Sequence, residues 1–285
     1  MPQTYSLLRY PGGKASIAPM LTDVIINNKL QHCQYIEPYA GGGGLALNLL
    51  YRRLVSDIHL NDFDPLIWSF WYSALNFTDD FVDKIKSIDI TLDEWHRQKE
   101  ISRNIEDHSI FEVGFAAFFL NRTNRSGIIS GGVIGGVDQT GKYKIDCRFT
   151  KKTAIEKLNK IKQFSHRIHL YNKDAVDFMK DIDGDLPKNS LFCIDPPYFS
   201  KGSSLYSSFY DKKDHKDVAK CIKSLKTKWI LTYDNANEIK SLYPPSRQYN
   251  FNLNYSVQTK RKGTELLIHS RGIKHLESLN IEKCA

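Results

Sequence analysis

Short runs of β-branched and aromatic residues, each followed by a helical pattern, limit what this chain can fold into more than any other feature. Gln34–Glu37, Ile58–Asn61, Arg167–Tyr171, Ser190–Ile194 and Lys228–Thr232 read as strands. Leu45–Leu54 and Pro65–Leu75 read as the helices after the first two. Parallel neighbours need a crossover, and the crossover covers the sheet. Strands alternating with helices therefore predict an α/β fold, a mostly parallel sheet with both faces buried.

The alternation breaks once, between about Asn76 and Thr150. Phe81–Ile88, Leu92–Asn104 and Ile110–Leu120 are predicted helices. Asn121–Asp138 is so dense in Gly, Asn, Arg and Ser that it argues against helix and for a hairpin or loop with glycines at positive φ. Residues 76–150 thus read as a helical insertion tipped by a glycine-rich hairpin, set within a domain built from 1–75 and 151–285. Toward the C-terminus, Gln248–Ser270 predicts two antiparallel strands around the basic turn Lys260-Arg261-Lys262-Gly263.

The net charge of +8 favours a polyanionic partner without requiring one. No apolar run reaches the roughly 18–20 residues of a membrane span, and Met1–Tyr10 lacks the apolar core of a signal peptide, so a cytoplasmic protein is expected. Cys33, Cys147, Cys193, Cys221 and Cys284 are odd in number and include no C-x-x-C pair. A disulfide framework and a zinc site are not expected, and no metal is.

The residues suited to chemistry fall where predicted strands end. Glu37-Pro38-Tyr39-Ala40-Gly41-Gly42-Gly43-Gly44 joins a strand to a helix, and its glycines let a ligand approach the main chain. Read alone, it is equally an ordinary βα turn. Asp62 or Asp64, ending the next strand, is placed to accept hydrogen bonds from ribose hydroxyls. Asp195-Pro196-Pro197-Tyr198 follows the apolar Leu191–Ile194. Its prolines fix two φ angles, so the Asp195 and Pro196 acceptors can converge on one point, with an aromatic ring beside them. That suits a planar ring bearing an amino group. Arg9-Tyr10-Pro11-Gly12-Gly13-Lys14 lacks phosphate-loop spacing and a preceding strand, so Lys14 is read instead as neutralising a cofactor carboxylate. Asn121, Arg122, Asn124, Arg125 and Ser126 are of the types that read base edges, and Lys142, Lys144, Arg148, Lys151 and Lys152 of the type that binds phosphate. A solvated basic loop explains this stretch equally well.

Taken in order, R-Y-P-G-G-K at 9–14, E-P-Y-A-G-G-G-G at 37–44, N-D-F-D-P at 61–65, N-R-T-N-R-S-G at 121–127 and D-P-P-Y at 195–198 resemble the alpha-class, Dam-like DNA adenine-N6 methyltransferases over nearly the whole chain. The resemblance implies a Rossmann-like methyltransferase sheet with a helical target-recognition insertion, S-adenosyl-L-methionine as methyl donor and double-stranded DNA as partner. It implies cofactor contacts from Tyr10, Gly12, Lys14, Glu37, Tyr39, Gly41, Gly43, Asp62 (on the ribose), Asp174 and Asp195, with Asp177 competing for the place of Asp174. Asp195, Pro196, Pro197 and Tyr198 would hold the target adenine, and the Arg122–Arg125 hairpin would enter the DNA. A monomer is expected. The hairpin differs from that of GATC-specific members, which leaves the target sequence open, as it does a restriction–modification role. The alternatives are methylation of RNA adenine or of a protein amide, and a DNA-binding relative without activity. A dehydrogenase is disfavoured because no G-x-G-x-x-G occurs at the first turn.

Overall fold

In the computed structural model five strands run parallel: β1 (Cys33–Glu37), β2 (Val55–Asn61), β3 (Ile168–Tyr171), β4 (Ser190–Ile194) and β5 (Lys228–Asp234). With β6 (Gln248–Val257), β7 (Thr259–His269) and the two-residue β8 (Glu282–Lys283) they form one sheet of order β3-β2-β1-β4-β5-β7-β6-β8. The structure describes residues 5–9, 14–199, 210–257, 259–274 and 282–284, with the backbone alone at 15, 252–257, 259–262 and 282.

The strand order reverses between β1 and β4, which pair directly through Gln34 with Ser190, Tyr35 with Leu191 and Ile36 with Phe192. In a doubly wound sheet this switch point leaves a crevice at the carboxyl ends of the strands, where the two flanking connections depart in opposite directions. The loops after β1 and β4 carry the glycine turn and the Asp195–Tyr198 segment, so the topology brings the two motifs together.

Side chains alternate between two apolar layers as a strand period of two requires. Tyr35, Leu191, Cys193 and Ile230 enter one layer, while Ile36, Phe192, Ile194 and Leu231 enter the other. The second layer is closed by α8 (Ala175–Asp183), α9 (Lys212–Ser224) and α10 (Asn237–Lys240), through residues such as Phe178, Val218 and Ile239. The first is closed by α1 (Ala18–Asn27), α2 (Gly44–Tyr51), α3 (Pro65–Asn76) and α7 (Lys151–Phe164). Local chemistry starts these helices. Asp64 accepts from the Leu66 amide at 2.9 Å with Pro65 at the first helical position, and Asp174 accepts from the Val176 amide at 2.8 Å.

The expected insertion holds α4 (Thr78–Ser87), α5 (Leu92–Ile101) and α6 (Ile110–Thr123). A Ser109–Glu112 capping box starts α6. Phe81, Phe115, Phe118 and Phe149 pack with Phe70 of α3, so the apolar layer under the sheet continues without a break into this segment.

Two local expectations are corrected. Asn121–Thr123 is the last turn of α6, because apolar burial through Phe115–Leu120 carries the helix past the polar boundary. Beyond it the predicted hairpin reduces to a single antiparallel bridge, Asn124 with Val133, within a loop. Lys260–Gly263 lies inside β7 rather than at a turn, paired with Leu253–Ser256 of β6. The register there is set by β7 pairing with β5 through Leu266, Leu267 and Ile268, not by turn chemistry.

Candidate active site

Asn61 organises the carboxyl ends of three strands. Fully buried at the end of β2, it donates to the carbonyls of Pro38 after β1 and Lys173 after β3, each at 3.0 Å, and accepts from the Lys173 amide at 3.0 Å. This ties Glu37, Asp62 and Asp174 to one end of the sheet. Asp62 accepts from the Gly41 amide at 2.7 Å and the Asp64 amide at 3.0 Å, which bolts the glycine turn to β2. Two of a carboxylate's four or so acceptor positions are thereby used. Gly43 begins α2 at φ +56°, and a Cβ there would lie 2.6 Å from the Trp71 ring, whose indole N–H donates to the Gly41 carbonyl at 2.9 Å. The turn is thus closed from beneath by a buried tryptophan that sequence reasoning did not single out.

Across the switch point, Asp195 is fixed by one oxygen. Its Oδ1 accepts from Thr232 Oγ1 at 2.8 Å and lies 3.2 Å from Lys14 Nζ. Oδ2 has no hydrogen-bond partner among the described residues. The Phe199 amide donates to Asp234 Oδ1 at 2.9 Å and anchors the proline turn to β5. Lys14, almost wholly buried, donates to Glu265 Oε2 at 3.0 Å and to the Tyr198 hydroxyl, which in turn donates to Glu265. All three donors of the ammonium are engaged. Lys14 therefore organises Asp195 and Tyr198 in place of the free charge expected for a cofactor carboxylate. Glu265 was not anticipated at all.

Acids dominate the electrostatics. Burial pushes Glu37 up to about 8, with the Tyr35 hydroxyl, donating at 2.9 Å, working against it and the charge of Asp195 adding to it. Burial likewise raises Asp62 to about 7 against the backbone amides of Asp64 and Gly41. Asp195 and Glu265 are also raised by burial, with Lys14 opposing in both cases. Burial works to lower Lys14, but Asp195 and Glu265 outweigh it and its affinity for its proton is raised. The crevice therefore favours protons or a cationic ligand. One consequence is measurable on the protein alone. Because Glu37 titrates at about 8 folded against an ordinary 4.5, the stability linked to its protonated form is complete below about 4.5 and is lost as pH rises through 8. Glu37→Gln should match the parent at pH 4.5 and gain on it toward pH 8.5, by at most roughly 5 kcal/mol in chemical denaturation. A difference that does not change with pH would contradict this.

Tyr39 meets Tyr210 through their hydroxyls at 3.0 Å, and Asp174, after β3, is close enough to act electrostatically on both. Asp177 lies one turn along α8, highly exposed and 3.9 Å from Lys180. Phe63, between Asp62 and Asp64, is 62% exposed. Tyr10 and Gly12 lie outside the described residues.

A family model for D12 class N6 adenine-specific DNA methyltransferases matches residues 10–260. The chain belongs to this family. It is an adenine-specific DNA methyltransferase of the D12 class on a Rossmann-like sheet. No curated protein matches it in sequence. Among solved structures, an rRNA methyltransferase, aviRa, from Streptomyces viridochromogenes is 12% identical with a TM-score of 0.38, covering 90% of this chain and 85% of its own. TrmN from Thermus thermophilus is 10% identical with a TM-score of 0.38, covering 95% of this chain and 49% of its own.

In this D12 methyltransferase the residues expected to contact DNA divide sharply. Asn121 is buried. It accepts from the Arg9 amide at 2.7 Å and donates to the carbonyls of Arg9 at 3.0 Å and Gly127 at 2.7 Å. Asn124, also buried, donates to the Ile128 and Ile129 carbonyls at 3.0 and 2.9 Å and accepts from the Trp95 indole at 2.7 Å. Both shape the loop from within and present nothing to a groove. Lys151 donates to the Lys86 and Ile88 carbonyls at 2.9 and 2.6 Å and so caps α4. Arg125, Arg148 and Lys152 are exposed, Ser126 and Arg122 half-buried. No helix among the described residues is long and apolar enough to cross a membrane.

Proposed function

We propose that this D12 methyltransferase transfers a methyl group from S-adenosyl-L-methionine to N6 of an adenine flipped out of duplex DNA. The observation that carries the reading is the asymmetry of Asp195: one oxygen is held by Thr232 and Lys14, and the other has no hydrogen-bond partner among the described residues and adjoins two prolines at the switch point. A carboxylate held this way is a fixed acceptor for an amine hydrogen.

The acid-rich crevice fits the cofactor. S-adenosylmethionine, when bound, supplies a methyl group on a sulfonium leaving group and brings positive charge to a region where burial has raised Glu37, Asp62 and Asp195. Asp62 retains lone pairs for ribose hydroxyls, exposed Phe63 offers a face for the adenine ring, and Asp174, beside Tyr39 and Tyr210, suits the cofactor base better than outward-facing Asp177.

Adenine N6 is a weak nucleophile because its lone pair is delocalised into the ring. Asp195 Oδ2 and the Pro196 carbonyl accept its two hydrogens and favour the tetrahedral geometry that frees the pair. With the cofactor in place, N6 would take the methyl carbon as the sulfur leaves as a neutral thioether, and would then lose one hydrogen as a proton to solvent. The positive charge that grows on N6 meets a carboxylate already in place, so little reorganisation is needed. Tyr198, its hydroxyl held by Lys14 and Glu265, provides an oriented ring to stack on the extruded base. Pro197 completes the rigid turn. The loop-bearing segment 76–150 is the part that reads DNA, through exposed Arg125 and Arg148 and half-buried Ser126, with exposed Lys152 just past its end in α7, and the enzyme acts as a monomer.

The substrate class is tested by offering labelled S-adenosylmethionine together with unmethylated duplex DNA, an RNA transcript of the same sequence, or a protein extract. Label should enter the duplex alone. Label in the RNA or protein in preference to the duplex would overturn the DNA assignment.

A further inference from the structure

We infer that Arg9, Arg122, Arg148 and Lys157 form a single phosphate-binding site that grips the DNA backbone next to the flipped base. The inference rests on the DNA reading above and adds Arg9 and Lys157 to the residues expected from the sequence to contact DNA.

Three of the four cations are strung along one stretch of chain, residues 6–9. Lys157 Nζ, on α7, donates to the Ser6 carbonyl at 2.6 Å. Arg122 Nη1, in the last turn of α6, donates to the Leu7 carbonyl at 3.4 Å. Arg9 Nη1 donates to the Asn124 carbonyl at 3.3 Å. Asn121 clamps the Arg9 backbone on both sides, and the Arg9 carbonyl fits against Gly127 only because that residue has no side chain: a Cβ there would lie 2.2 Å away. Arg148, in the short turn Ile145–Arg148 before α7, makes no hydrogen bond to this group among the described residues but lies close enough for its charge to act on Arg9 and Arg122. The stretch leads on to Lys14, five residues past Arg9, which contacts Asp195 and Tyr198. The cluster therefore sits one short step along the chain from the catalytic end.

What the group lacks is a counter-charge. Among the described residues, none of the four lies within 4 Å of a carboxylate, although Lys14, Lys162 and Lys173 all do. Burial brings Arg122 down to about 10, and the neighbouring charges of Arg9 and Arg148 add to the effect. Burial brings Lys157 down to about 8, with Arg122 adding to it. Carbonyl partners satisfy some of the hydrogen bonds but leave the repulsion in place. Packing like charges together without relief disfavours the folded state, and a bound anion removes the penalty. Guanidinium forks match phosphate oxygens, and a chain carrying a negative charge at every step presents them in series.

The test is the salt dependence of affinity for a short duplex, measured by fluorescence anisotropy on the full chain and on Arg122→Gln, Lys157→Met and Arg148→Gln. Arg148 is exposed, so its variant should fold whatever happens to the others. Each substitution should make the slope of log affinity against log salt shallower by about one, and inorganic phosphate should raise the melting temperature of the parent more than that of the variants. If the cations only pin residues 6–9, the Arg122 and Lys157 variants melt lower and all slopes stay as in the parent, which overturns the site. Slope changes seen with single-stranded RNA but not with the duplex also overturn it. Methyl transfer to DNA with unchanged slopes would remove this site and keep the catalytic reading. Shallower slopes on the duplex without methyl transfer would do the reverse.

Discussion

Asp195→Ala is expected to lower the rate of methyl transfer by about 10²–10³-fold, the usual consequence of removing one preorganised partner of a developing charge. The loss should fall on the chemical step, because the carboxylate interacts most strongly with N6 as positive charge appears there. The fold should survive. Lys14 keeps Glu265 and the Tyr198 hydroxyl, so the substitution strands no buried cation, and the Thr232 hydroxyl already lies 3.5 Å from the Ile194 carbonyl as a second acceptor. The substitution also removes a carboxylate that burial disfavours. Asp195→Asn, which keeps an acceptor oxygen and loses the charge, should fall between the two. Single-turnover rates with saturating DNA and cofactor, read beside melting curves, check the set. Parent-like turnover in the alanine variant would remove Asp195 from the chemistry.

Gly43→Ala is expected to destabilise the protein by about 2–4 kcal/mol, because a non-glycine residue in the left-handed region costs about 1 kcal/mol and overpacking a closed site adds about 1–3. Both effects apply here. Gly43 sits at φ +56°, and the new methyl would lie 2.6 Å from a Trp71 ring that is itself buried and hydrogen-bonded to Gly41. Relief requires moving the tryptophan or the turn, and the turn carries the amide that holds Asp62. Cofactor affinity should therefore fall with stability. Urea denaturation should show a lower midpoint at unchanged slope. An unchanged midpoint would mean that the turn yields without strain.

Much of this arrangement was legible in sequence because it is local. A strand rich in apolar residues and stopped by two prolines marks its own end, and Ser190–Ile194 is β4 as expected. The glycine turn and the acid after the next strand announce themselves by spacing along the chain. Glu265 does not. It reaches Lys14 across 251 positions through the pairing of β7 with β5, and a glutamate between Thr264 and Leu266 reads as the solvent side of an alternating strand. The signal available was the apolar run Leu266–Ile268, which makes a buried neighbour plausible without naming its partner. Asn121 and Asn124 misled in the opposite sense. Their side chains resemble base-reading groups, yet they follow directly on the buried Phe115–Leu120 and spend their hydrogen bonds on backbone. Polarity in a sequence does not distinguish an amide that reads a ligand from one that folds a loop. Lys260–Gly263 looked like a turn for a related reason, since charge and glycine outweighed the pairing that a distant strand imposes.

The most direct test of the central claim is methyl transfer from tritiated S-adenosylmethionine to unmethylated duplex DNA, with sequencing that locates the modified base. Label on adenine N6 within one short recurring sequence is the predicted result. A cofactor that binds while the duplex stays unlabelled, or label on any base other than adenine, would contradict it.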